Sequence, residues 1–475
     1  MKKIIISACF TLELVVALML PCQSAWAVSM NFNGHFRSEA SYYSNAGLGL
    51  AETESTKSFL SGRGLLQPNL IIDDHFSLRS QWSVLTSPKL TPDGTVPLGV
   101  GQGGWVFGDQ QSAALTLSRA WLEWTSDFGV VRLGRMPVSW GYGLLYDAGS
   151  GVWDDFQSTL DRLEYRLHLG HIVGALAYSK GRKLNVLGNV NDQEFYTVYL
   201  QYDNPETEVE GGILFEKQNR SRGQVADYLG TANPAPAVSP SPYALPSGYQ
   251  GKKALKLATK TPFPLTNNVV DVYVKKTMGY LTLGGEVTWL SGEAMNYNGN
   301  GVTDSLNAFG AMVSASYEYH TVKIFLDMLY ASGDSNLNGD HLNGFVLLHR
   351  NRRPGLILGR ELLGQYYGNG VGLGSLVVYG NDDTFSGVFY ARPGLRVDWS
   401  SAWSSGLEVI VAQKAQVATG EEKNLGVEID AGTEYAVYKN FDLGVNVGYL
   451  IPGLGLGVPN PRGVFATRAT AALRF

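Results

Sequence analysis

From residue 28 onward the chain falls into segments of about ten residues in which apolar and polar side chains alternate. A period of two marks a strand, because neighbouring side chains point to opposite faces. Between Arg162 and Leu169 the odd positions hold Leu163, Tyr165, Leu167 and Leu169, and the even ones Arg162, Glu164, Arg166 and His168. Near the end Leu425, Val427, Ile429, Ala431, Tyr435 and Val437 oppose Glu428, Asp430 and Glu434. Phe441, Leu443, Val445, Val447 and Tyr449 then repeat the pattern.

Read throughout, the alternation predicts about 18 strands, with 16 as the alternative count. They begin near Phe32, Phe59, Phe76, Leu115, Val130, Arg162, Ile172, Phe195 and Val209. The second half begins strands near Val269, Leu281, Phe309, Val322, Phe385, Gly406, Leu425, Phe441 and Val464. Every second connection is short and carries turn residues: Asp73-Asp74, Ser126-Asp127, Gly170-His171, Asp203-Asn204-Pro205, Gly279-Tyr280, His320-Thr321, Ser400-Ser401 and Lys439-Asn440. The others are long, reaching roughly 50 residues at Gln218 to Thr266 and at Ser332 to Asp383. A soluble β-sandwich has no reason to sort its connections by parity. A transmembrane antiparallel up-and-down β-barrel does, with short periplasmic turns and long extracellular loops. Lipid offers no partner for an open sheet edge, so such a sheet must close. The stretches from Lys252 to Lys260 and from Leu356 to Tyr379 are the hardest to assign.

The first 27 residues have a different character. Lys2 and Lys3 precede an apolar run from Ile4 to Leu20, and Ala25-Trp26-Ala27 has the small-x-small form of a signal-peptidase site. Residues 1–27 are therefore expected to be a cleaved signal peptide and 28–475 a single barrel domain. A lipoprotein signal at Cys22 is the competing reading, and Pro21 stands where that motif wants a small residue. Cys9 and Cys22 are the only cysteines, so the exported protein would carry no disulfide, Cys-ligated metal or haem, and no cofactor is expected. After residue 27 no apolar run approaches the roughly 18 to 20 residues of a membrane helix. Instead 57 Gly, 25 Tyr, 19 Phe and 10 Trp suit a barrel with aromatic girdles. The final strand ends on Phe475, resembling the aromatic C-terminal signal read by barrel-insertion machinery.

Charge adds an exclusion. Lys and Arg number 37 against 42 Asp and Glu, a net charge of −5, and loss of Lys2, Lys3 and Glu13 would leave the remainder one unit more acidic. That balance argues against a nucleic-acid partner and leaves lipid and a hydrophilic solute as the expected ones.

In a barrel the polar parity of each strand is the candidate functional surface. Early strands supply Arg63, Gln67, Arg79, Gln81, Arg119, Glu123, Arg132, Arg162, Glu164 and Arg166. Later ones supply Glu286, Glu318, Lys323, Asp327, Glu408, Glu428, Asp430, Glu434 and Arg468. An Arg-rich wall facing a carboxylate-rich one would set a transverse field across a wet lumen. The competing reading is that these charges pair across strands and stiffen or plug the barrel. Among the long connections, Asn233 to Pro246 and Pro88 to Gly108 are too rich in Pro or Gly to pair. Pro137 to Asp161 holds Trp140, Tyr142, Tyr146, Trp153 and Phe156, enough apolar surface to pack either inside the barrel mouth or on neighbouring loops.

Enzyme readings find little. Asp73-Asp74-His75 falls in a tight turn, where Asp serves turn geometry. Trp153-Asp154-Asp155, Asp382-Asp383 and Asp334-Ser335-Asn336 with Asp340 are oxygen-rich but lack a full cation-binding pattern, and no Gly-x-Ser-x-Gly occurs.

The sequence resembles the alginate-export type of outer-membrane barrel. The resemblance rests on Arg119-Ala120-Trp121-Leu122-Glu123-Trp124, Val131-Arg132-Leu133-Gly134-Arg135 and Trp140-Gly141-Tyr142-Gly143. It rests also on Leu329-Tyr330-Ala331-Ser332-Gly333-Asp334, on Leu425-Gly426-Val427-Glu428-Ile429-Asp430 and on Gly448-Tyr449-Leu450-Ile451-Pro452-Gly453. It implies an 18-stranded barrel conducting a hydrophilic substrate. Alginate itself would want a basic lumen, which this acidic chain does not offer. The expected function is passive transport or export of small hydrophilic solutes or a saccharide. The alternative is a non-conducting barrel that acts as a scaffold or sleeve for a periplasmic or surface partner, and a rim hydrolase lacks its constellation.

Overall fold

The computed structural model describes residues 28–45, 56–86, 105–106, 114–154, 157–180, 193–223, 263–295, 303–334, 341–345, 355–362, 387–417, 420, 422–456 and 460–475. The expected signal peptide, the Pro-rich stretch 233–246, most of 88–108, Lys252–Lys260, Asp155, Phe156, Ser335, Asn336, Asp340 and Asp382-Asp383 lie outside them.

Eighteen long strands form one antiparallel sheet. The first nine are β1 (Ser29–Ser44), β2 (Thr56–Ile71), β3 (Phe76–Thr86), β4 (Ala114–Ser126), β5 (Gly129–Pro137), β6 (Thr159–Leu169), β7 (Ile172–Lys180), β8 (Gln193–Asn204) and β9 (Val209–Gly223). The second nine are β10 (Phe263–Met278), β11 (Leu281–Met295), β12 (Thr303–Tyr319), β13 (Val322–Ala331), β14 (Val388–Asp398), β15 (Trp403–Gln413), β16 (Asn424–Tyr438), β17 (Phe441–Pro452) and β18 (Val464–Arg474). Each pairs with its sequence neighbour. β18 also pairs with β1 from His35↔Arg474 to Ser44↔Phe465, which closes the cylinder. The Phe475 backbone completes the seam, donating to Gly34 O at 3.1 Å and accepting from Gly34 N at 2.9 Å. Closure gives every barrel strand two partners, the condition that a sheet in hydrocarbon must meet.

The wall is inside out relative to a soluble protein. Leu163, Leu176, Val198, Leu200, Val274, Val313, Ile324, Leu407 and Val445 are exposed on the outer face, while Arg63, Arg162, Glu164, Asp271 and Glu428 are buried within. Phe128, Tyr280, Tyr319, Trp399, Trp403 and Tyr438 stand exposed around the short-turn end. This is the aromatic girdle that the composition suggested, formed where rings with polar tips meet both apolar and wet surroundings.

Two strands start earlier than the alternation suggests: β10 at Phe263 rather than near Val269, and β12 at Thr303 rather than near Phe309. Their added residues include Thr266, Asn267, Asn268, Asp304, Ser305 and Asn307, which extend the ladder at the long-loop end. The outer face there is not required to be apolar, so the period-two signal fades while the pairing continues. Two short segments also join the sheet. Trp105–Val106 lies against β2, and His341–Leu342 runs parallel to β12. Within the stretch that the pattern could not assign, Gly355–Leu362 forms a short π-helix.

Candidate functional site: a lumen narrowed by two inserted segments

The connection from β5 to β6 enters the barrel, which settles the choice between mouth and neighbouring loops. Its Trp140, Leu145 and Tyr146 pack on Leu160, Ala175, Phe195, Tyr199, Leu214, Val269 and Tyr273, all buried, with Val138 and Leu290 at the margin. Trp140 meets Tyr273 edge to face at 5.1 Å between ring centres and Tyr199 at 5.5 Å. The polar tips are satisfied as well. Trp140 Nε1 donates to Asp271 Oδ1 at 2.8 Å, and Tyr146 OH to Glu216 Oε1 at 2.6 Å. Glu286 accepts from the backbone N–H groups of Tyr142 and of Leu144, the latter at 3.2 Å. Gly141, at a φ of +48°, lies so close that a Cβ would come within 2.8 Å of the Glu286 carboxylate. A left-handed backbone in contact with a side chain leaves room only for glycine.

Three arginines hold the same segment from the other side. Arg37 Nη1 donates to Val152 O at 2.7 Å, Arg63 Nη1 to Asp154 O at 2.5 Å, and Arg119 Nη2 to Ala148 O at 2.7 Å and Ser158 O at 3.1 Å. Backbone carbonyl oxygens of the segment, most of them part-buried, thus receive charge-assisted hydrogen bonds. Arg37 also lies 6.0 Å from the centre of the Trp153 ring.

The π-helix Gly355–Leu362 is the second insertion and rests on β16 by the same device. Asp430 Oδ2 accepts from Leu356 N at 2.9 Å, while Glu428 accepts from Ile357 N and Leu358 N, both at 2.7 Å. Gly355, at a φ of +92°, would put a Cβ 2.5 Å from Glu428 Oε2. The first N–H groups of any helix lack intrahelical acceptors, and these two wall carboxylates supply them.

The remaining predicted lumen residues form cross-strand networks. Arg79 meets Glu123 at 2.8 Å, Glu123 meets Arg132 at 3.5 Å, and Glu164 gathers Arg132, Arg162 and Arg166 at 3.1, 3.0 and 2.5 Å. Gln67, Gln81 and Arg119 are linked by hydrogen bonds of 3.1 Å. In the second half Arg392 bonds Asp327 and lies 3.6 Å from Glu408. Glu318 meets Lys323 at 3.4 Å close to the short turn, and Glu434 stands 4.0 Å from Arg396. Arg468 pairs with Glu39 of β1 at 3.5 Å.

The parity reading omitted several members of these networks: Arg37, Glu39, Glu216, Asp271, Arg392 and Arg396. Most were recoverable, since Arg392 and Arg396 share the parity of inward positions on β14, and Asp271 interrupts Val270 and Val272. Asp73 fills its turn role, accepting from His75 N at 2.8 Å and Phe76 N at 2.7 Å. Asp334 accepts from Asn343 N at 2.9 Å, and Asp154 from Gly151 N at 2.7 Å, so both carboxylates hold loop backbone.

Between the inserted segments and the wall from β13 to β18 an opening remains. Its upper part is bounded by Trp153, Asp154 and Leu356 on one side and by Glu408, Glu434 and Arg468 on the other. A lower part continues along Arg396, Ser404 and Glu434 to Ser400, Ser401, Asp442 and Arg474 at the short-turn end. Trp153, Arg396, Ser404 and Glu434 border both parts, so the two join at their level.

This geometry defines a class of barrel, one narrowed from within and open along one side. Neither family models nor curated proteins match the sequence. Solved structures do resemble the fold. OccK9 (OpdG) of Pseudomonas aeruginosa superposes with a TM-score of 0.53 at 10% identity, over 94% of this chain and 99% of that one. OccK5 (OpdH) of the same organism gives 0.51 at 8%, over 94% and 98%. A BenF-like porin from Pseudomonas fluorescens Pf-5 gives 0.50 at 9%, over 94% and 98%. The chain thus has the porin-type β-barrel fold.

Proposed function

We propose that this protein is a passive channel of the outer membrane for small hydrophilic solutes. The observation that carries this reading is the eccentric opening, which runs from the level of Trp153 to the short-turn end. It is lined by polar and apolar groups alike in its upper part and mostly by polar side chains in its lower part. The girdled apolar exterior supports an integral position in the lipid, with residues 1–27 as the export signal and the strand ending at Phe475 as the insertion signal. The resemblance to alginate-export barrels supports the same class of activity. A saccharide fits the mixture of hydroxyl, amide and charged groups along the wall. A polyanionic one does not.

The experiment is single-channel recording of the refolded protein in a planar bilayer. Stable open steps are the expected result. Their absence from protein shown to be folded would overturn the channel reading. One observation favours a second reading, a closed sleeve or scaffold: the two insertions are locked by buried polar contacts rather than laid loosely in the mouth. The same recording decides between them.

A further inference from the structure

Resting on the channel reading, we infer that the open path selects small hydrophilic cations, including ammonium-bearing organic ones. The chain as a whole hides this, because its arginines and carboxylates are spread over the whole wall. The inserted segment between β5 and β6 separates them. Arg37, Arg63 and Arg119 are at most 3% exposed, each donates to a backbone carbonyl of that segment, and none borders the opening. Arg132, Arg162 and Arg166 converge on Glu164.

Among the described residues that border the opening, carboxylates outnumber guanidiniums. Asp154, Glu408, Asp430 and Glu434 line the upper part, and Asp398 and Asp442 join them below. Among the described residues, Arg396, Arg468 and Arg474 stand against these six carboxylates. The most accessible acids are Glu434 and Asp398, with about half of each side chain in solvent, and both are opposed by the single guanidinium of Arg396. An ion in the path meets these carboxylates and the three bordering guanidiniums at contact range, and the covered arginines only across a layer of protein. Coulomb energy falls with separation and with screening, so the nearer set decides. Trp153 borders both parts of the opening, and a ring there adds attraction for a cation that has lost part of its water.

The test is the reversal potential across a KCl gradient, followed by the bi-ionic potential with choline chloride on one side. Potassium is expected to permeate several-fold better than chloride, and choline measurably. A potassium-to-chloride ratio of one or below, in channels that conduct, overturns the inference and leaves the channel reading intact. Undetectable choline permeability overturns its ammonium part. No conductance at all overturns the channel reading itself. Glu434→Gln with Asp398→Asn should lower the ratio about twofold, because both groups sit in the focused field of a narrow, low-dielectric passage. Both side chains are half exposed and their isosteres leave the ladder intact, so the fold survives. An unchanged ratio in the double variant would overturn the assignment to this wall.

Discussion

The two halves of the barrel wall use the same residue types to opposite ends. From β1 to β11 the inward arginines and carboxylates are spent on one another and on the segment between β5 and β6. From β13 to β18 some inward charges pair, as Arg392 does with Asp327 and Glu408, two hold one short helix, and several border an opening. The difference teaches that inward charge in a barrel is not a measure of lumen charge. What counts is whether a backbone segment has been laid over it.

Removing that cover breaks the comparison most directly. Pro137 and Thr159 are register partners, and Val138 N donates to Ser158 O at 3.2 Å. Residues 139–157 can therefore be replaced by a two-residue Asn-Gly turn that continues the hairpin. The shortened protein is expected to conduct several-fold more. Its cation preference should also weaken or reverse, since Arg37, Arg63 and Arg119 then face water. Planar-bilayer conductance and reversal potential report both, and an unchanged selectivity would mean that the covered arginines never mattered.

A smaller but sharper test lies within the first half. Glu164 is 3% exposed and holds three guanidiniums. Glu164→Gln leaves buried positive charge without its counter-ion, which typically costs about 3–5 kcal/mol. Urea unfolding of the membrane-inserted barrel, followed by tryptophan fluorescence, should show the loss. In the second half Glu434→Gln removes a half-exposed carboxylate, and its unfolding midpoint should hardly move while its selectivity does.

The two anchors allow a finer comparison. The segment between β5 and β6 is held by an apolar cluster, three arginines and Glu286, whereas the described contacts of the π-helix include only Glu428 and Asp430 as polar anchors. Replacing either Glu by Gln costs an acceptor for one buried N–H, about 1–3 kcal/mol. Glu428→Gln is nevertheless expected to raise open-channel noise more than Glu286→Gln, because less remains to keep its segment in place. Equal noise in the two variants would refute this ranking.

The alternation of Leu163, Tyr165 and Leu167 with Arg162, Glu164 and Arg166 contains the barrel, because each lipid-facing position demands an apolar residue and each inward one tolerates charge. Strand number and turn positions followed from that period. The site did not. Nothing in the sequence says that Asp271 and Glu286 will accept hydrogen bonds from a loop about 130 to 145 residues away, because such contacts are set by closure of the cylinder and not by local period. The aromatic content of 140–156 indicated that the loop packs somewhere. Only the carboxylates waiting inside direct it inward, and they carry no signal that distinguishes an anchor from a selectivity residue.

The last comparison sets a covered pair against an uncovered one on the same hairpin. Arg135 and Asp161 are register partners one position away from the inward set, so they point outward, near the long-loop end. Their bonds are good, 2.7 Å from Nε and 2.8 Å from Nη2, yet both side chains are about half exposed. A pair that water can reach loses most of its attraction to solvation and salt, and such pairs are worth about 1 kcal/mol or less. Arg135→Gln should therefore shift the unfolding midpoint by a small fraction of the Glu164→Gln shift, and the shift should shrink further at high salt. A shift as large as that of Glu164→Gln, insensitive to salt, would mean that the outer face at this height lies in a low-dielectric layer, and the boundary of the apolar band would have to be moved outward past Arg135.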